Sequence, residues 1–347
     1  EQLVRQISVF KEMGFGGFYM HPRVGLKTPY LSDEFLEAVE ICVKEAKRNG
    51  LYAGLYDEDR WPSGYGGGSV TKHPGYRATH LLFTQTPYEE SNIGENPDYK
   101  PNFAVGVRTD RGILAKVYDV ILDKTGYLKE YRVIRKDECA SGIKWYAYIE
   151  ENPIHSWYNE GAYVDVMNKE AIDLFIKNTH EIYKSCLGEE FGKVIPSVFT
   201  DEPHMIFMTN FSEPFDGTDQ FLPWTPKIQE EGEQRYALSL LDRLPELFWE
   251  KRSGDESVRY VYHELLSDMF EKAYSQNIGD WCKENGINFT GHYLFEETLF
   301  MQNRSGGDMM RMYRDMDEPG MDLLFDDVAV TTGKQIQSII HQYGKKG

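Results

Sequence analysis

The sequence is poor in cysteine, and its few cysteines are not arranged as a metal site or a disulfide framework. Its 347 residues contain four, at Cys42, Cys139, Cys186 and Cys282. No two of them form a Cys-x-x-Cys pair, and no group of histidines lies beside them in the sequence. Structural zinc sites need closely spaced cysteines and histidines, and disulfide scaffolds are short and rich in cysteine. We therefore expect neither a zinc site nor a disulfide-stabilised fold.

Positive charge is also scarce. The chain has 38 lysines and arginines against 56 aspartates and glutamates, for a net charge of −18. Such a chain repels the phosphates of nucleic acids and the surface of an anionic membrane. It has no apolar run long enough to span a bilayer and no secretory signal. Nucleic acid and membrane are therefore not expected as partners, and the location is left open between the cytoplasm and secretion from a bacterial cell.

Several motifs of catalysis and ligand binding are missing as well. The glycines near residues 64–68 are not followed by the Lys-Ser/Thr pair of a phosphate-binding loop, and no serine lies in a Gly-x-Ser-x-Gly setting. The sequence also lacks His-x-His, His-Glu-x-x-His and EF-hand spacing. Clustered carboxylates are nevertheless suitable ligands for calcium. We predict that no cofactor is required, and keep calcium as a candidate.

What the sequence does contain is an alternation of helix and strand signals, which is typical of βα units. Five apolar runs that end in polar residues predict strands ending near His21, Asp57, Asp201, His292 and Asp326. Helices are predicted over 1–13, from Ser32, from Asn168, over 236–252 and 255–285, and from 333. The fold class indicated is α/β, a (β/α)8 TIM-like barrel that is incomplete, because such a barrel has eight strands. One strand would lie upstream and two downstream, unless strands such as 163–167 are being overlooked.

One segment interrupts this alternation. Residues 79–150 contain short β-rich runs, at 79–83, 105–108, 114–122, 127–134 and 143–149, with glycines between several of them. Such runs predict an antiparallel β-rich insertion in a barrel loop. The domain boundaries predicted are 1–78 for the first part of a catalytic barrel, 79–162 for the insertion and 163–347 for the second part. Residues 205–235 are predicted to be loop-like and aromatic.

Each predicted barrel strand ends in side chains that can carry chemistry, and in a parallel barrel these ends meet on one face. Glycoside hydrolysis needs one carboxyl group to protonate the leaving oxygen and a second to act as nucleophile or base. Glu202 is the predicted general acid, because burial and the neighbouring Asp201 would raise its pKa. Asp201 would assist. Of Glu296 and Glu297, at most one can point inward, and we favour Glu297 as a further catalytic residue.

The remaining strand-end residues are predicted to bind the sugar by hydrogen bonding and ring stacking. A rival interpretation is a carbohydrate-binding barrel without catalysis, or an inactive hydrolase core. A third is a metal-dependent hydrolase with its metal at Asp326 and Asp327 or near Asp57. The predicted substrate-binding residues are His21, Arg23, Asp57, Glu58, Trp61, His292 and Asp326.

Five motifs together resemble a group of bacterial glycosyl hydrolases related to the family 106 α-L-rhamnosidases and, more distantly, to the clan of the β-galactosidases. They are Gly-Phe-Gly-Gly-Phe-Tyr-Met-His at 14–21, Tyr-Asp-Glu-Asp-Arg-Trp-Pro-Ser-Gly at 56–64, Phe-Thr-Asp-Glu-Pro at 199–203, Thr-Gly-His at 290–292 and Pro-Gly-Met-Asp at 319–322.

The resemblance implies a (β/α)8 catalytic barrel in which an acid/base glutamate ends the fourth strand. Glu202 matches that position if one strand lies upstream. The clan's second carboxylate ends the seventh strand, which here would come after His341. The resemblance also implies calcium, without assigning its ligands. The expected activity is hydrolysis of a plant or bacterial polysaccharide, and the expected partners are that carbohydrate and other domains of a longer parent chain.

Overall fold

The computed structural model describes residues 1–91, 106–209, 211, 213–323 and 330–346, which form a mixed α/β fold with one parallel and one antiparallel sheet. The described strands do not close into a barrel. The strands are β1 (Gly17–Met20), β2 (Tyr52–Tyr56), β3 (Thr79–Thr84), β4 (Ile113–Leu122), β5 (Leu128–Ile134), β6 (Ile143–Glu151), β7 (Ser197–Asp201), β8 (Gln220–Trp224), β9 (Asn288–His292) and β10 (Glu318–Pro319). The helices are α1 (Gln2–Glu12), α2 (Asp33–Asn49), α3 (Lys169–Asn178), α4 (His180–Leu187), α5 (Ile228–Tyr236), α6 (Pro245–Phe248), α7 (Ser257–Phe270), α8 (Asn277–Glu284), α9 (Leu299–Ser305), α10 (Met309–Tyr313) and α11 (Val330–Tyr343).

The parallel sheet has the strand order β1-β2-β7-β9-β10. Four of the five predicted strands are confirmed, those ending near His21, Asp57, Asp201 and His292. The fifth is shorter than predicted, since β10 pairs with β9 only through Glu318 and Pro319. The predicted end of that strand, at Asp326 and Asp327, lies outside the described residues. The register places Asp201 of β7 directly beside His292 of β9.

Two helices begin at the capping residues that the sequence predicts. The Ser32 hydroxyl accepts a hydrogen bond from the Phe35 N–H at the start of α2, and the Asn168 side chain accepts one from the Glu170 N–H at the start of α3. Helix α2 ends at Gly50, whose φ of 64° is left-handed. The buried face of α2 follows a helical period and consists of Phe35, Val39, Cys42, Val43 and Ala46.

The antiparallel sheet has the strand order β5-β4-β6-β3-β8. The β-rich character predicted for 79–150 is confirmed by β3 to β6, whereas residues 106–108 form no strand. Strand β8 comes from the segment predicted to be loop-like, so that prediction was wrong. Pro223 argues against a central strand, but β8 lies at the edge of the sheet, where a missing N–H is tolerated.

The helical prediction for 236–252 was wrong, and that for 255–285 is confirmed by α7 and α8. Helix α5 ends at Ala237, which has a left-handed φ of 50°, and only the short α6 follows before Trp249. One cluster of buried side chains, including Val39, Leu81 and Phe289, extends through both sheets, so the domain boundaries stay a prediction. No helix in the described parts of the chain is both long and apolar enough to cross a membrane.

Gly291 allows β7 and β9 to approach closely beside the predicted catalytic residues. Its φ is +142°, and a Cβ there would lie 2.0 Å from the Thr200 carbonyl oxygen. We expect Gly291→Ala to lower the free energy of unfolding by about 1–3 kcal/mol through this overlap, in addition to backbone strain. Gly286→Ala is the matched control, because Gly286 also has a positive φ but nothing within 4 Å of its Cβ position. Equal urea midpoints for the two variants would contradict the close approach.

Candidate active site

A cleft of about 720 Å³ lies at the carboxyl ends of the parallel strands. Every strand of that sheet, or the loop that follows it, contributes to the cleft. Aromatic rings form much of its wall, and carboxylates and imidazoles are grouped among them. The residues that line the cleft are Tyr19, His21, Arg23, Tyr56, Trp61, Phe199, Asp201, Glu202, Phe207, His292, Leu294, Phe295 and Asp322.

Glu202 directly follows β7 and enters the cleft from a backbone with a left-handed φ of 48°. Its N–H donates to the His292 carbonyl oxygen at 3.1 Å, which fixes this backbone against β9. The side chain is 9% exposed, and no described residue donates a hydrogen bond to its carboxylate. Burial raises the pKa of Glu202 to about 7; the nearby His292 opposes the rise, and the charge of Asp201 adds to it. Glu202 can therefore hold a proton near neutral pH.

Asp201 is held on both sides. The Tyr56 hydroxyl donates to Oδ2 at 2.5 Å, and His292 Nε2 lies 3.1 Å from Oδ1. Burial alone would raise the pKa of Asp201, but the bonds from His292 and Tyr56 outweigh it and hold that pKa below its usual value. Burial likewise would lower the pKa of His292, yet Asp201 raises it to about 9. The two residues thus form a buried ion pair beside Glu202.

The other predicted residues from β1 and from the loop after β2 lie at different places around this pair. His21 lines the cleft, with its ring stacked on Tyr56 at a centroid distance of 3.7 Å. Arg23 is exposed at the cleft. Trp61 also lines it, and its ring packs against Trp157 at 5.3 Å. Asp326 lies outside the described residues.

Asp57 and Glu58 lie beneath the cleft and do not line it. Both are fully buried, and burial raises the pKa of each. Asp57 accepts a hydrogen bond of 2.6 Å from the Ser63 hydroxyl. The structure therefore places these two predicted sugar ligands where they hold the loop that carries Trp61. Glu58 accepts four backbone hydrogen bonds of 2.6–3.1 Å, from the N–H groups of Asp59, Gly64, Gly66 and Gly67.

The predicted direction of Glu297 was wrong. Glu297 is exposed, whereas Glu296 is buried and accepts hydrogen bonds from the Tyr313 hydroxyl and, at 2.8 Å, from the Asp322 N–H. Phe295, directly before Glu296, has a left-handed φ of 60° and turns the chain after β9. Glu296 is not among the cleft-lining residues, and its link to the cleft is the hydrogen bond from the Asp322 N–H.

Asp322 is a cleft residue that the sequence analysis missed. Its Oδ2 lies 4.0 Å from His292 Nε2, and its Oδ1 accepts from the Leu323 N–H at 2.7 Å. The available signal was the Pro-Gly-Met-Asp motif at 319–322. It was passed over because the predicted strand was extended through this motif toward Asp326.

Three described residues could approach a metal ion together. Glu202, His292 and Asp322 each offer one ligand atom, and these atoms lie within 4.8 Å of one another. Calcium takes six to eight oxygen ligands, whereas this set offers two carboxylates and an imidazole. The imidazole of His292 would offer a nitrogen, which is not among the oxygen ligands of calcium; its Nε2 is paired with Asp201, and its Nδ1 is buried without a partner among the described residues. This set does not fit calcium, and no step below uses a metal. Calcium binding elsewhere in the protein stays a prediction.

In sequence comparisons, no known protein family and no curated protein matches the chain. Among solved structures, it is similar to the rhamnosidase from Novosphingobium sp. PP1Y, with a TM-score of 0.56 and 13% identity. The chain has a glycosidase-like fold. The similarity covers 99% of this chain and 49% of the rhamnosidase, so the chain spans about half the length of that protein. At this identity the similarity concerns the fold alone, and membership of family 106 stays a prediction.

Proposed function

We propose that the chain is the catalytic part of a glycoside hydrolase in which Glu202 protonates the leaving oxygen. The observation that carries this proposal is a buried carboxyl group that faces the cleft, accepts no hydrogen bond from a described residue and has a pKa raised to about 7. A general acid works best when its pKa lies near the working pH. The position of Glu202 at the end of a parallel strand is typical of catalytic residues in α/β barrels.

The rest of the cleft can bind and orient a sugar. Aromatic rings such as Trp61, Phe207 and Phe295 offer apolar faces to the sugar ring. The Asp201–His292 pair presents fixed charge beside Glu202, which suits hydrogen bonding to hydroxyl groups. As the glycosidic bond lengthens, the Glu202 carboxyl group transfers its proton to the departing oxygen. Burial and the negative charge of Asp201 keep Glu202 protonated until then, because both disfavour its charged form.

The finer features of the proposal follow the resemblance of the motifs and the fold of the solved neighbour. The parallel sheet would be part of a (β/α)8 barrel that other segments of a longer parent chain complete. The chain would come from a bacterial enzyme that degrades plant or bacterial polysaccharide. α-L-Rhamnosides are the first substrates to test, since the structural neighbour is a rhamnosidase, and β-D-galactosides are the second.

The test is the pH dependence of hydrolysis for a panel of phenyl glycosides that includes these two sugars. Glu202 is active as an acid only while protonated, so kcat/KM is expected to fall as the pH rises through about 7. Product formation can be followed by chromatography from pH 5 to pH 9. Failure to hydrolyse any member of the panel, or a rate that stays level to pH 9, would contradict the proposal.

A further inference from the structure

Three carboxylates from the described residues line the cleft, and two of them already have defined roles. Glu202 is the proposed acid. Asp201 has both oxygens engaged, one by the Tyr56 hydroxyl and the other by His292 Nε2. Each of these partners draws on the electrons of the oxygen it contacts, so both oxygens of Asp201 are weaker nucleophiles than an oxygen without a partner. This leaves Asp322 as the carboxylate that can act on the sugar.

Asp322 is held in place by its backbone and by one of its two carboxylate oxygens. Its N–H donates to Glu296 Oε1 at 2.8 Å, and the Tyr313 hydroxyl holds the other oxygen of Glu296. The Leu323 N–H donates to Asp322 Oδ1 at 2.7 Å. Oδ2 makes no hydrogen bond to a described residue and has as its near neighbour His292 Nε2 at 4.0 Å. One oxygen therefore orients the side chain and the other remains available to a ligand.

The spacing between Asp322 and Glu202 indicates the type of reaction. One carboxylate oxygen of each lies within 4.8 Å of the other. Retaining glycosidases hold their two carboxyl groups about 5–5.5 Å apart, and inverting enzymes hold them about 6.5–9.5 Å apart to leave room for a water molecule. Glu202 independently indicates that a ligand binds here. Its side chain is about nine-tenths buried and faces the cleft, yet no described residue forms a hydrogen bond with its carboxylate.

We propose that Asp322 is the second catalytic carboxylate and that the chain hydrolyses glycosides with retention of configuration. The inference rests on the proposed glycosidase function. Asp322 Oδ2 attacks the anomeric carbon and forms an ester, while the bond to the leaving oxygen breaks and Glu202 gives that oxygen its proton. A water molecule then attacks the same carbon and loses a proton to Glu202, and the ester bond to Asp322 breaks. Both carboxyl groups end in their starting states.

This assignment differs from what the motif resemblance implies, which is a second carboxylate after His341. The difference has a geometric basis, since one oxygen of Asp322 lies within 4.8 Å of one oxygen of Glu202, which is closer than the about 6.5–9.5 Å of an inverting pair. It also gives a role to Glu296, which would act as a positioning residue by fixing the backbone at Asp322.

The test combines product stereochemistry with a variant at Asp322. Proton NMR of the unmodified protein, with whichever phenyl glycoside it hydrolyses, is expected to show the first-formed sugar with the anomeric configuration of the substrate. Asp322→Ala is expected to lower kcat/KM on the order of 10³-fold or more. Sodium azide should restore turnover of the 2,4-dinitrophenyl glycoside by that variant, giving a glycosyl azide of inverted configuration. Asp280→Ala, at an exposed aspartate on α8, is the matched control and should keep the original rate.

The possible failures are distinguishable. An inverted first product from the unmodified protein would overturn the role of Asp322 and leave the glycosidase proposal standing. Undiminished activity in Asp322→Ala would do the same. Absence of hydrolysis by the unmodified protein would overturn the proposed function itself. The stereochemical measurement needs no variant, so misfolding of Asp322→Ala cannot hide the outcome.

Discussion

Glu202→Gln is expected to lower kcat/KM for phenyl glycosides by about 10²–10⁴-fold, the contribution that a positioned general acid makes. The amide has nearly the shape of the carboxyl group but cannot give a proton to the leaving oxygen. The fold should survive, because no described residue donates a hydrogen bond to the Glu202 carboxylate and none would lose its partner. Steady-state kinetics at pH 6, where Glu202 is mostly protonated, measures the effect.

The stability of this variant provides a second readout. The pKa of Glu202 is higher in the folded protein, at about 7, than its ordinary value, so this group costs folding stability as the pH rises from about 4.5 through 7. Glu202→Gln removes that cost, and its urea midpoint should equal or exceed that of the unmodified protein at pH 8. Glu37→Gln, at an exposed glutamate on α2, is the control and should change neither property. Normal activity in Glu202→Gln would contradict the assignment of the acid.

Glu58→Ala is expected to destabilise the fold by about 4 kcal/mol or more. Glu58 is fully buried and is the acceptor for four backbone N–H groups. Each buried donor left without an acceptor costs about 1–3 kcal/mol. A domain is commonly stable by only about 5–15 kcal/mol, so this loss would consume a large part of the total. Urea unfolding followed by tryptophan fluorescence measures the change.

Glu58→Gln tests whether the four hydrogen bonds account for the stability that Glu58→Ala loses. Each oxygen of Glu58 accepts two of the four N–H groups, so an amide in either orientation leaves two donors without an acceptor. Its loss of stability should therefore lie between that of Glu58→Ala and that of the control Glu37→Ala. If Glu58→Ala unfolded at the same urea concentration as the control, the four hydrogen bonds could not be what holds this loop. Trp61 lies on the same loop, so both Glu58 variants should also bind substrate more weakly.

The strand ends of the site could be predicted because their signal is local. Each of β2, β7 and β9 is a short apolar run that stops at acidic or imidazole side chains, and parallel strands place such ends on one face. The pairing of Asp201 with His292 could not be predicted in the same way. It depends on β7 lying between β2 and β9, with the antiparallel segment intervening in the chain, and on the register of β7 against β9.

The parts that sequence reasoning misplaced depend on backbone torsion or on tertiary contacts. Glu296, and not Glu297, is buried after the left-handed turn at Phe295, where it accepts hydrogen bonds from Tyr313 and Asp322. Asp57 and Glu58 are acidic residues at a strand end, as cleft residues often are. The backbone N–H groups that donate to Glu58 come from the loop that includes Gly64, Gly66 and Gly67, and only the folded loop brings them to its carboxylate. Asp322 follows the short β10. Its place beside His292 is a tertiary contact, which the spacing of apolar residues along the sequence does not indicate.

The central claim is that Glu202 gives a proton to the leaving oxygen, and a leaving-group comparison tests it most directly. The ratio of kcat/KM between the unmodified protein and Glu202→Gln would be measured for the 2,4-dinitrophenyl glycoside and for the phenyl glycoside of the same sugar. Dinitrophenolate leaves without protonation, so the ratio should be small for that substrate and about 10²–10⁴ for the phenyl glycoside. Equal ratios for the two substrates would contradict the claim, because they would show that Glu202 does not act on the leaving oxygen.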